Sequence, residues 1–80
     1  MTETQLMTKL TDVFRDVFDD DTIHISDSTT AQDIEAWDSL THISLVAAVE
    51  KAFGATFTTK DIQSLANVGD FVRLIARKTS

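Results

Sequence analysis

The chain opens with Leu6, Leu10, Val13, Phe14, Val17 and Phe18 at i, i+4, i+7, i+8, i+11 and i+12, a spacing that puts all six on one helical face. Thr2 and Gln5 stand at capping-box spacing ahead of it. The pattern predicts a helix over about 3–18. Asp19, Asp20 and Asp21 follow, and negative charge at a helix C-terminus opposes the dipole, so the helix should stop there. A second stripe, Leu45, Val46, Val49 and Phe53, predicts a helix over about 39–53, with Asp38 as its N-cap and Gly54 just past its end. Thr58 with Asp61 marks a short third helix near 59–65. Asn67 with Asp70 caps a last helix over about 68–78, where Val68, Phe71, Val72 and Ile75 recur at i, i+3, i+4 and i+7. Arg77 and Lys78 sit at its C-terminal end, where cations favour the dipole. Phe57 is expected to fill the space between the second and third helices.

Residues 19–38 form a long connection. A loop of this length in a small domain is uncommon and is usually functional or disordered. Ile23, Ile25, Ile34 and Trp37 within it argue that it is pinned to the core. Thr30 and Asp33 have capping-box spacing and predict a single helical turn near 31–35. The fold class is therefore all-α, an irregular four-helix bundle of three longer helices and one short one, forming a single domain over 1–80.

Composition narrows the ways this fold can be held together. A chain of 80 residues buries only about 60–65% of its unfolded surface. It has no cysteine, so no disulfide adds stability, and His24 and His42 alone do not suggest a zinc site. The hydrophobic fraction of 42% is too high for a disordered chain. Thirteen acidic against seven basic residues give a net charge of −6. That disfavours nucleic acid, whose binding draws on phosphate neutralisation, and disfavours anionic membranes. It fits partners with basic patches, although acidity also serves solubility. No apolar run reaches membrane-spanning length, and Met1-Thr2-Glu3-Thr4 lacks the features of a signal peptide, so a cytoplasmic location is expected.

An active site is hard to place. A hydrolase elbow needs glycines flanking its serine, and Ala36-Trp37-Asp38-Ser39-Leu40 has none. The Asp19–Asp21 run fails the calcium-loop pattern, because His24 falls where glycine is needed and Thr30 where glutamate is needed. Ser39 stands out for another reason. It opens a helix, where the first-turn N–H groups lack intrahelical partners and carry partial positive charge, so a phosphate ester there would be stabilised. On local sequence alone, Ser39 could equally be an ordinary first-turn serine.

The wider pattern decides between these. Asp38-Ser39-Leu40, an amphipathic helix ending in Phe53-Gly54, the acidic charge, the long first loop and a Val68-Gly69-Asp70 start to the last helix together resemble the acyl carrier proteins. The resemblance covers nearly the whole chain. It implies a non-catalytic carrier that holds acyl intermediates as thioesters on a 4'-phosphopantetheine arm. It places the arm on Ser39, donated by coenzyme A and attached by a separate phosphopantetheinyl transferase. Asp38 matches the family's aspartate, which helps hold the transferase's magnesium. The implied partners are that transferase and acyl-loading and acyl-transferring enzymes with basic patches, acting on a monomer. An aminoacyl or peptidyl carrier using the same Ser39 is the nearest alternative, and a cofactor-free helical adaptor is the rival from another class.

Several residues depart from the housekeeping pattern. The exposed face of the second helix reads Thr41, Ser44, Ala47, Ala48 and Lys51, with Glu50 alone acidic in the helix proper. The negative charge lies instead in the loop, at Asp19, Asp20, Asp21, Asp27, Asp33, Glu35 and Asp38. This points to a specialised carrier serving a dedicated enzyme set, with Leu40, Thr41, Ser44, Lys51 and Glu35 as candidate docking residues. Trp37 is read as an anchor for the loop, or else as a ring that touches the arm. His42 is read as a solvated side chain, or else as a docking contact. Val46, Val49, Phe53, Ile62, Leu65, Ala66 and Ile75 are core residues at helical spacing that could line an acyl cavity.

Overall fold

The computed structural model describes residues 2–79, and it shows four helices: α1 (Glu3–Phe18), α2 (Ser39–Phe53), α3 (Thr59–Gln63) and α4 (Val68–Thr79). Among the described residues no helix is long and apolar enough to cross a membrane. The core is drawn from all the longer helices and the first loop. Leu10, Phe14, Leu45, Val49, Val68, Phe71 and Ile75 have essentially no exposed surface, and Trp37 retains 5%. Phe57 is buried as expected, and its N–H donates to the Glu50 carboxylate at 2.8 Å, tying the α2–α3 link back onto α2.

Both ends of α1 close through local chemistry. Thr2 and Gln5 form a reciprocal capping box. At the other end Asp19 takes the left-handed conformation (φ 51°, ψ 47°), which aspartate tolerates better than most residues. The Asp20 N–H then reaches back to the Arg15 carbonyl at 3.0 Å. At the end of α2, Gly54 does the same work at φ 64°, and the Ala55 N–H bonds the Glu50 carbonyl at 3.0 Å.

Two expectations about the connections are corrected. Residues 31–35 do not form a helical turn but two successive reverse turns, closed by the Asp33 N–H on the Thr30 carbonyl and the Trp37 N–H on the Ile34 carbonyl, both at 3.0 Å. The Asp33 carboxylate does accept from the Thr30 N–H, so the capping geometry forms without a helix to follow it. The chain must instead turn inward to bury Trp37. The third helix ends at Gln63 and not 65, because Ser64 caps it with a bond from its hydroxyl to the Asp61 carbonyl.

The long loop is held by backbone as well as by side chains. Ile23, Ile25 and Ile34 pack on the core, and Arg15 Nε donates to the Ile23 carbonyl at 2.8 Å. The first N–H groups of a helix lack intrahelical partners. In α4 the loop supplies them: the Val68 N–H donates to the Thr29 carbonyl and the Gly69 N–H to the Asp27 carbonyl, each at 2.9 Å. Asn67 Oδ1 takes the Asp70 N–H at 2.8 Å, and Thr30 pairs with Asn67 in an isolated antiparallel bridge. A side chain at Gly69 would place its Cβ 2.9 Å from the Asp27 carbonyl oxygen. Glycine is thus demanded here by close backbone approach.

The short α3 is tied to α4 by charge. Asp61 accepts from the Thr58 N–H at 3.0 Å and pairs with Lys78 at 3.0 Å, with Arg77 at 3.7 Å. The Thr58 backbone bond, then Lys78, lower the Asp61 pKa from the ordinary 3.8 to about 2.

Two outcomes follow. Gly69→Ala, which in an open helix would stabilise by about 1 kcal/mol, should here destabilise by about 1–3 kcal/mol, read as a fall in Tm of about 4 °C or more. A depressed carboxylate pKa contributes stability above the unfolded value that is lost as pH falls through the folded value. The stability difference between wild type and Asp61→Asn, measured by urea unfolding, should therefore shrink as pH drops from about 4 to 2.

Candidate functional site

Ser39 is the first residue of α2, and its side chain is exposed. The helix begins there because Asp38, in extended conformation, caps it. One carboxylate oxygen of Asp38 accepts from the Leu40 and Thr41 N–H groups, both at 3.0 Å. Thr41 answers with its hydroxyl, which accepts from the Asp38 N–H at 2.7 Å and donates to the Ala36 carbonyl at 2.8 Å. These bonds, the Thr41 backbone bond first, hold the Asp38 carboxyl below the usual carboxylate range. They fall on Oδ1, which leaves Oδ2 as the oxygen able to meet an external cation.

Among the described residues the Ser39 hydroxyl has no hydrogen-bond partner. It faces an open cleft of about 500 Å³ lined by Ala31 and Trp37 from the loop, Asp38 and His42 beside it, and Leu65 and Ala66 from the α3–α4 link. Such a hydroxyl is free to become an ester. The positive end of the α2 dipole, worth about half a charge, would face an anion attached there.

Trp37 is an anchor. Its ring meets Phe14 edge-on at 5.3 Å between centroids and Phe71 at 6.2 Å. His42 is not the solvated side chain expected. It is half-buried, its ring lies 6.0 Å from that of Trp37 at 15° between planes, and Trp37 Nε1–H donates to His42 Nδ1 at 3.1 Å. A buried indole N–H needs an acceptor, and His42, one helical turn into α2, supplies it.

The candidate docking residues divide. Leu40, Ser44, Lys51 and Glu35 are exposed, whereas the Thr41 hydroxyl is committed to the cap. Ile43, which the apolar stripe did not include, is 67% exposed, and Leu40 is 76% exposed. The signal for it was present: Leu40, Ile43 and Ala47 stand at i, i+3 and i+7, a second apolar stripe on a helix that already has one. Of the candidate cavity residues, Val46, Val49 and Ile75 are packed in the core, and Phe53, Ile62 and Leu65 lie partly buried against it. Leu65 and Ala66 are the two that line the cleft at Ser39.

The family model described as "Phosphopantetheine attachment site" matches residues 8–75, a span that includes Ser39. Among solved structures, a holo acyl carrier protein from Geobacter metallireducens is similar, with a TM-score of 0.86 and 42% identity over 91% of this chain and 84% of that one. No curated protein matches the chain significantly. With the same four helices, an exposed serine opening the second of them, and matches of this extent, the chain belongs to the acyl carrier protein family, whose domains bear a covalent 4'-phosphopantetheine.

Proposed function

We propose that Ser39 is the attachment point of the arm, and that residues 1–80 act as one non-catalytic, monomeric carrier domain in the cytoplasm. The observation that carries this is the exposed, unpartnered Ser39 hydroxyl at the start of α2, beside a carboxylate with one oxygen to spare. The arm supplies, when attached, a terminal thiol on which acyl cargo is held. The chain's own residues do the rest. Asp38 and Thr41 fix the first turn, so the backbone that carries Ser39 is held in place. Asp38, with Oδ2 clear of the cap bonds, would help hold the metal ion of the modifying transferase. Tethering then raises the effective concentration of cargo at each partner's active site.

The partners are that transferase and enzymes that load and transfer acyl groups, docking at Leu40, Ile43, Ser44 and Lys51 with Glu35 at the edge. This face is apolar and near neutral, which favours a dedicated enzyme set over the housekeeping one. Strongly basic docking patches gain little here, since Glu50, the one acid within α2, is engaged by the Phe57 N–H.

Coexpression with a phosphopantetheinyl transferase should add the mass of one arm to wild type and none to Ser39→Ala. Mass persisting on Ser39→Ala would move the site, and an unmodified wild type would favour the helical adaptor. For the docking face, a housekeeping acyl transferase should use the loaded wild type poorly. Ser44→Glu with Lys51→Glu should raise its kcat/KM by about tenfold or more through faster association. Equal efficiency on both would sink the specialised reading.

A further inference from the structure

His42 is the residue of the Ser39 cleft that neither the cap nor the attachment accounts for. A phosphodiester on Ser39 offers acceptors only, and its neighbours supply few donors. The Leu40 and Thr41 N–H groups are taken by Asp38, and the Asp38 carboxylate is itself an acceptor. Among the described residues no lysine or arginine lines the cleft. Beside the Ser39 N–H of the first turn, the imidazole is the side-chain source that remains.

Its protonation pattern is set by Trp37. An indole N–H can only donate, so His42 Nδ1, 3.1 Å away, must accept, and the neutral ring carries its hydrogen on Nε2. Phe71 packs on the same imidazole at 6.0 Å between centroids, which restrains its rotation. Among the described residues Nε2 has no protein partner, and no buried side-chain nitrogen or oxygen lacks one, so Nε2 reaches the surface. Residues at i and i+3 share a helix face, and a helical side chain covers the turn N-terminal to its own Cα. For His42 that turn begins at Ser39.

We infer that His42 is a positioning residue for the arm. Its Nε2–H donates to a non-bridging oxygen of the phosphodiester on Ser39, and Trp37 acts through it by holding the ring in the donating tautomer. The inference rests on Ser39 as the attachment point.

The test uses the loaded protein, with intact mass confirming the arm before any comparison. In loaded wild type, imidazole nitrogen NMR should show hydrogen on Nε2, and the phosphorus resonance of the phosphodiester should differ from that of His42→Phe. Phenylalanine keeps the ring packing against Trp37 and Phe71, and a thermal melt checks that the fold is retained. His42→Gln, whose amide nitrogen stands near the place of Nε2, should restore much of the wild-type phosphorus shift. Trp37→Phe should admit the other tautomer and move the resonance part of the way toward the His42→Phe value. An unmodified wild type overturns the arm reading and this inference together. A loaded wild type with hydrogen on Nδ1, or a phosphorus resonance unchanged across the His42 variants, overturns the role of His42 alone.

Discussion

The burial of Trp37 is the constraint from which the site takes its position. The ring lies between Phe14 of α1 and Phe71 of α4 and bonds His42 of α2, so one loop residue meets all three longer helices. Aromatic pairs contribute about 0.5–1.5 kcal/mol each beyond the area they bury. A domain of this length has a net stability of only about 4–12 kcal/mol at the usual 0.05–0.15 per residue. Asp38 is the next residue, and it can cap α2 only where Trp37 leaves it. The place of Ser39 is therefore set by the core, although Ser39 itself is exposed.

Where structure follows from short-range pattern, the sequence was legible. The bounds of α1 and α2 coincide with the reach of their apolar stripes and caps, because each cap is a side chain acting three residues away. Ser39 was readable as a helix start for the same reason, while its meaning came from the whole-chain resemblance. The misses turn on tertiary burial and on contacts that cross element boundaries. The turns at 31–35 depend on drawing Trp37 inward, and His42 was read as solvated because its partner is a buried indole five residues away, across the α2 N-cap. The loop carbonyls that close α4 were invisible, since they involve backbone atoms some forty residues apart in sequence. Gly69 carried a faint trace of them, a helix-weakening residue kept in a first turn.

The charge of the chain separates into two kinds. Asp38, Asp61 and Asp70 are spent on the backbone, each accepting N–H groups at a helix start, and their lowered pKa values record that work. The exposed acids of the first loop give the molecule its net sign. The helix that bears the serine is capped by one acid of the first kind, Asp38, and its outer surface exposes the apolar side chains Leu40 and Ile43. Under the proposed function these two parts of the surface divide the labour of association: Coulomb attraction acts at long range and apolar contact at short range.

The backbone pairing of Thr30 with Asn67 joins the two walls of the cleft: Ala31 follows one partner and Ala66 precedes the other. The gap between those walls is thereby governed by main-chain geometry, which substitution of side chains leaves in place. The lining is free to vary in size while the spacing stays fixed. Such a gauge lets the small residues that line the cleft change one at a time without reworking the frame that holds them.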